Sequence, residues 1–336
     1  MNPLVHRLPS SFLQEQINVH VVGAGGNGAQ FVNGMGRLNM SLKALGHPHG
    51  FHVRLFDPEV VSDANVGRQL FSSSDVGQPK SFVVINRLNA FYGTNWSANH
   101  SSWALKGESI GNELNEGEKR KGVHFVVGCV DSAASRRSIA SIAEAGQTRY
   151  WLDLGNEAKT GQCILGETRA AWKHKDLDGN FTEHWERGGK STARQPRLPT
   201  VMDLYPELHR RVKEDDAPSC SLAGALQRQD LFINQTVATF ALNLLWRFFR
   251  KGELDIHGCF VNLQSGSVNS LAVDPDGWQR FGYHCARIAP LRRIKKVLRP
   301  IRPFNAGLFL LECGHRQEGH GKLKIRCERC MEPGQK

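Results

Sequence analysis

The chain has 336 residues, 40% of them apolar and 22% charged, with 43 Lys and Arg against 32 Asp and Glu for a formal net charge of +11. This hydrophobicity and low charge per residue exclude a chain disordered throughout, and the length suffices for one large core or two smaller ones. No membrane span is expected: the longest apolar-looking run, 231–246, contains Asn234, Gln235, Thr236, Thr239 and Asn243 and falls short of the ~20 apolar residues a bilayer requires.

Residues 1–10 lack the basic and apolar blocks of a secretory signal, which predicts a cytoplasmic protein. In that compartment the eight cysteines point to metal ligation or catalysis where they cluster, not to a disulfide scaffold. Apolar spacing predicts strands at 17–23, 51–57, 123–131, 150–154 and 162–165, with helices at 28–40, 81–92 and 132–144. This alternation is the pattern of βαβ units and a mostly parallel, Rossmann-like sheet with flanking helices. From 167 to 218 charged residues, Gly and Pro dominate, and only Trp172, Trp185 and 201–205 offer apolar surface, so the stretch reads as a long crossover or insertion, partly mobile. A helix at 223–250 and a strand pair at 259–264 and 268–273 follow. One domain is thus expected over 1–275, and 276–336 forms a basic segment and a Cys- and His-bearing tail.

The first strand runs into Gly23-x-Gly25-x-x-Gly28 and then a helix. Glycines there allow a tight turn and close approach of a phosphate to free N–H groups at the helix N-terminus. The second strand ends in Asp57, whose carboxylate can accept hydrogen bonds from ribose hydroxyls. These features suit NAD, FAD or ATP alike. Next come Asn65-x-x-Arg68-Gln69 and Gly77-x-Pro79-Lys80. Cations beside the glycine loop suit a triphosphate with a departing pyrophosphate, and hydride transfer has no use for them.

With Gly128-Cys-Val-Asp131 and Arg136 added, the order of motifs resembles the ThiF, MoeB and HesA superfamily, which includes the ubiquitin-activating enzymes. The matching blocks cover 17–166, and a looser similarity extends to about 250. The sequence 227–234 looks most like the ThiF family protein of bacterial PRTRC gene systems. The resemblance implies ATP- and magnesium-dependent adenylation of the C-terminal carboxylate of a small ubiquitin-like or sulfur-carrier protein. By motif, Gly23, Gly25 and Gly28 would cradle the nucleotide and Asp57 hold the ribose. Asn65, Arg68, Gln69 and Lys80 would line the triphosphate side, and Asp131 would bind magnesium. A homodimer is implied as well. The family commonly has Asn after the magnesium Asp, where this chain has Ser132. Arg7 stands where some members reach into a partner's site, but no motif supports that role over an exposed surface arginine.

Among the cysteines, Cys220 precedes the long helix, where a thiolate would be stabilised by the helix dipole, and family members that form thioesters carry their nucleophile in this region. Packing beneath the crossover is the structural alternative. Cys129, Cys163 and Cys259 fall in apolar strands and are expected in the core. Cys313, His315, Cys327 and Cys330 have ligand types and spacing suited to a closed zinc knuckle, against the alternative of unconnected cysteines. The seven Lys and Arg within 287–302, with no acid among them, suit weak phosphate binding, an acidic partner protein or a solvated face. An NAD- or FAD-dependent oxidoreductase, or a nucleic-acid-associated nucleotide-binding protein, are the competing functions. The first leaves Arg68, Lys80 and Asp131 unexplained.

Overall fold

The computed structural model describes residues 4–102, 122–145, 148–168, 197–209, 229–283, 291–301, 306–311, 316–320 and 324–326. In chain order the elements are β1 (His6–Arg7), α1 (Ser11–Gln14), β2 (Ile17–Val22), α2 (Gly26–Ala44), β3 (Phe51–Phe56), α3 (Lys80–Tyr92), β4 (Ser97–Asn99), β5 (Val123–Gly128) and α4 (Ala133–Ala145). Then come β6 (Thr148–Asn156), β7 (Thr160–Glu167), α5 (Val201–Leu204), α6 (Ile233–Lys251), β8 (Glu253–Leu254), β9 (Ile256–Asn262) and β10 (Ser267–Ala272). The chain divides into two compact units, Met1–Tyr283 and His284–Lys336. The first unit runs past residue 275 because Trp278 is fully buried in its core and donates from Nε1 to the Ala272 carbonyl at 3.0 Å.

Eight strands of the first unit form one sheet in the order β10-β9-β7-β6-β5-β2-β3-β4. Pairing is parallel from β6 through β4, and antiparallel where β7, β9 and β10 extend the sheet. This is the mostly parallel Rossmann-like fold expected. Its central strands are buried on both faces, which is why they appear in sequence as continuous apolar runs. One face packs Val19, Val21 and Leu152 with Phe31 and Met35 of α2 and Val237 and Phe248 of α6. Gly34 lets α6 come close, since a Cβ there would lie 2.1 Å from Leu242 Cδ1. The other face packs Val126, Trp151 and Ile164 with Ile139 of α4 and with Leu198, Val201 and Met202. Those last three belong to the expected crossover, so within its described residues 198, 201 and 202 are core. Thr200 and Asp203 cap α5 reciprocally, with Thr200 N–H donating to Asp203 Oδ2 at 2.9 Å and Asp203 N–H to Thr200 Oγ1 at 3.3 Å.

Register sets up the functional edge. Ile17 of β2 lies opposite both Phe51 and Val123, so β2, β3 and β5 end level at Val22, Phe56 and Gly128. Gly23, Asp57 and the 129–131 turn therefore emerge side by side at the carboxyl ends of parallel strands, where ligands bind in open α/β sheets. Among the described residues, no helix is long and apolar enough to cross a membrane.

The core also holds neutral histidines. His124 stacks on His20 across β5 and β2, with Nδ1 and Nε2 3.0 Å apart, and burial followed by the Arg54 charge lowers its pKa to about 4. Burial brings His257 to about 4 as well, against the opposing hydrogen bond to the Leu165 carbonyl. Each imidazole is neutral when folded and takes a proton near pH 6.5 when unfolded, so the unfolded chain binds more protons between those values and stability falls as pH falls. The loss at pH 5 is about 2 kcal/mol per histidine. The urea midpoint should drop accordingly between pH 7 and pH 5; an unchanged midpoint would contradict buried neutral imidazoles at these positions.

Candidate functional site

The three glycines of the β2–α2 turn serve different ends. Gly23 has φ +97°, and a Cβ there would lie 2.4 Å from the Cys129 carbonyl oxygen. A Cβ at Gly28 would lie 1.8 Å from the Gly23 carbonyl oxygen, so helix and turn can meet only at glycine. Gly25 is different: an added Cβ would meet only Gln69 Nε2, at 3.9 Å. Its backbone faces accessible space, and α2 begins there without a side-chain cap, leaving first-turn N–H groups for a ligand.

Asp57 braces this turn. Its Oδ2 accepts the Ala24 N–H at 2.6 Å and its Oδ1 the Glu59 N–H at 2.8 Å. Burial raises its pKa, and the two backbone hydrogen bonds and the Lys80 charge oppose that rise. Lys80, the first residue of α3, is 4% exposed, and its Nζ donates to Glu59 Oε2 while its N–H donates to the Glu59 carbonyl at 3.0 Å. Arg68 Nη1 donates to Gln229 Oε1 at 2.6 Å, which also accepts from Asn234 Nδ2 at 3.3 Å. Asn234 lies against Gly26, where an added Cβ would be 2.4 Å from its Nδ2. On the far side of the turn, Asn27 donates to Asn156 Oδ1 at 2.8 Å.

Asp131 follows β5. Arg136 anchors its backbone, donating from Nη1 to the Asp131 carbonyl at 3.1 Å and from Nε to both oxygens of the fully buried Asp153 at 3.1 Å. The Asp131 side chain reaches solvent, yet it sits in a concave setting: crowding by protein, then the Glu59 charge, raise its pKa, while Arg136, Lys80 and Arg68 oppose them. One carboxyl thus feels four neighbouring charges at once.

Gly23, Gly25, Gly28, Asp57, Arg68, Gln69, Lys80 and Asp131 are brought to this edge together. Asn65 is partly committed elsewhere, since its Oδ1 accepts the Ser62 N–H at 2.9 Å and the Ser62 hydroxyl at 3.0 Å to cap the local turn. Ser132 takes a helix-start role, its Oγ accepting the Ser135 N–H at 3.1 Å. Arg7 lies on β1 with Nε 3.8 Å from Glu253 Oε2, both side chains nearly half exposed. Cys129, Cys163 and Cys259 are buried as expected, and the last two face each other across β7 and β9 at 3.5 Å between sulfurs. Cys220, Cys313, His315, Cys327 and Cys330 lie outside the described residues. Among the described residues no cluster of three or more His, Cys, Asp or Glu is arranged to hold a metal.

Glu59 and Asp153 join the site without having been singled out from sequence, and Gln229 and Asn234 fall in the 227–234 stretch, which the sequence marks for family resemblance and not as part of a site. Glu59 had one usable signal, its place two residues after Asp57; the others depend on tertiary contacts. Polar capacity remains for a ligand, because Arg68 Nε, Gln69 Oε1 and Asn27 Oδ1 are buried without a partner among the described residues. Of these, Arg68 Nε is a donor that fits an anionic nucleotide phosphate, whereas Gln69 Oε1 and Asn27 Oδ1 are acceptors that fit hydroxyl or amino groups. The exposed Asp131 carboxylate is a hard oxygen donor of the kind that holds magnesium together with substrate phosphates.

The sequence pattern of the ThiF family matches residues 12–269. No curated protein matches the chain. Among solved structures, the crystal structure of selenomethionine PaaA is similar at TM-score 0.45 and 15% identity, over 78% of this chain and 65% of that one. The chain therefore spans about two thirds of that protein's length.

Proposed function

We propose, for a chain that belongs to the ThiF family, that it adenylates the C-terminal carboxylate of a small ubiquitin-like or sulfur-carrier protein with ATP. The observation that carries this reading is the gathering of Arg68, Lys80 and Asp131 within mutual electrostatic reach beside the glycine turn. Carrier carboxylate oxygen attacks the α-phosphorus, an O–P bond forms, the bond to the β-phosphate oxygen breaks, and pyrophosphate leaves. Negative charge is brought in by the nucleophile and concentrates on the leaving group, and in this reading Arg68 and Lys80 neutralise it. Magnesium held by Asp131 would supply further neutralisation of the phosphates. The backbone N–H groups after Gly25 orient the phosphates, and Gln229, itself held by Asn234, orients Arg68. Glu59 holds Lys80 until the triphosphate offers it other oxygens. Cys220 is the proposed nucleophile of a following thioester step.

Pyrophosphate exchange tests the reading. With its carrier, the protein should incorporate labelled pyrophosphate into ATP, and Cys220→Ala should keep that exchange while losing any DTT-sensitive carrier adduct. Absence of exchange with every co-encoded small protein ending in glycine would sink adenylation.

A further inference from the structure

Most of the excess charge of the chain lies in its second unit. Residues 284–336 hold thirteen Lys and Arg against four Asp and Glu, which leaves thirty against twenty-eight for the first unit. Of the net +11, therefore, +9 lies in 53 residues. Their described backbone is a four-stranded antiparallel sheet of β11 (Leu291–Ile301), β12 (Ala306–Leu311), β13 (Arg316–His320) and β14 (Lys324–Arg326), in the order β13-β12-β11-β14. A zinc knuckle was expected in this stretch, and the basic segment carried no strand prediction.

Register sorts the charges. Directly opposed residues share a face of an antiparallel pair, and one inserted residue reverses the alternation that follows it. β11 pairs Ile294 with Leu311, Lys296 with Leu310, Val297 with Phe309 and Arg299 with Leu308, so its register shifts at Lys295 and again at Leu298. Strict alternation would mix basic and apolar residues on both faces. With the two shifts, Lys296 and Arg299 share a face with Arg293, while Ile294, Val297 and Pro300 take the other with Phe309 and Leu311. Pairing of Arg293 with Lys324, Leu291 with Arg326 and Leu310 with Arg316 brings three more cations to the first face. Among the paired residues that face carries six Lys and Arg and one acid, Glu318, interleaved with Leu291, Ile301, Leu308 and Leu310; the other carries Arg292 as its one cation.

We infer that this sheet face binds the phosphate backbone of duplex nucleic acid. Four of its six cations are arginines, whose planar fork matches phosphate oxygens. Among the described residues no Phe, Tyr or Trp occupies the face and His320 at its end is its one ring, too few for the stacking platform that successive single-stranded bases require. Strands ~4.8 Å apart and ~3.3 Å rise per residue make it roughly 15 Å across, enough to span several phosphates of one groove without reading bases. The inference does not depend on adenylation, because the two units carry separate chemistry.

Fluorescence anisotropy of the full-length protein with a labelled 20-base-pair duplex tests it. Binding should weaken steeply with salt, log Kd against log salt changing by ~0.9 per phosphate neutralised. Arg293→Gln, Lys296→Gln and Arg299→Gln together should lower affinity at least tenfold and reduce the slope by about 2.7, whereas Arg292→Gln should change affinity less than twofold. Single substitutions, each expected to reduce the slope by about 0.9, keep the test open if the triple variant fails to fold. No binding at 50 mM salt, unchanged slopes in the single variants, or displacement of the duplex by an equal charge of polyglutamate would overturn the inference, the last in favour of an acidic protein partner.

Discussion

Arg136→Met should lower the stability of the protein by ~3–5 kcal/mol, because it strands the fully buried Asp153 carboxylate without its cation. Burial already raises the Asp153 pKa, and Arg136 is what opposes that rise. Without the guanidinium, Asp153 would take up a proton, so the loss is bounded by the cost of neutralising it. The double variant Arg136→Met with Asp153→Asn removes the charge together with its partner and should recover a large part of the loss, since replacing both members of a buried pair is far milder than removing one. Urea unfolding of the three proteins at pH 7 measures this directly. A single variant within 1 kcal/mol of wild type would mean that Asp153 is not held by this pair. The substitution should also weaken pyrophosphate exchange in protein that remains folded, because Arg136 holds the backbone carbonyl of Asp131.

That dependence of site on core explains what was legible in sequence. The strands beneath the site are buried on both faces and appear as apolar runs, and the glycine turn is fixed by contacts only glycine permits, so 17–28, Asp57 and Asp131 could be placed from sequence. β4 is three residues, Ser97–Asn99, with a single Ala as its apolar content, and offers no periodicity to detect. The long helix begins at Ile233, after the non-helical residues 229–232, because the Asp230 N–H is tied to the Ala158 carbonyl at 2.7 Å and Asp230 Oδ1 accepts the Phe232 N–H at 3.0 Å; the expected helical residues 223–228 lie outside the described residues. Gln229 meets Arg68 from 161 residues away, with Asn234 holding Gln229, a contact that no local pattern encodes. In the second unit the period of two was hidden by the register shifts at Lys295 and Leu298, so the segment showed its charge but not its strand.

Arg68→Ala and Lys80→Ala should each reduce pyrophosphate exchange by about 10²–10³-fold, the effect of losing one preorganised donor at a site of concentrating charge. Glu59→Gln should act in the opposite sense on two readouts. It releases Lys80 from its ion pair and should lower the KM for ATP several-fold. It also removes the negative charge that, after crowding by protein, raises the pKa of Asp131. Asp131 must be ionised to hold a cation, so exchange falls as pH drops through its raised pKa. Taking away the Glu59 charge lowers that pKa, and the acid limb of kcat/KM should move to lower pH. Asp131→Asn should lose exchange at every pH. If Glu59→Gln leaves the acid limb where it was, Asp131 is not the titrating group. If Lys80→Ala exchanges like wild type, the lysine serves α3 and Glu59 as a structural anchor, and the charge on the departing pyrophosphate must be met by Arg68 and the turn after Gly25.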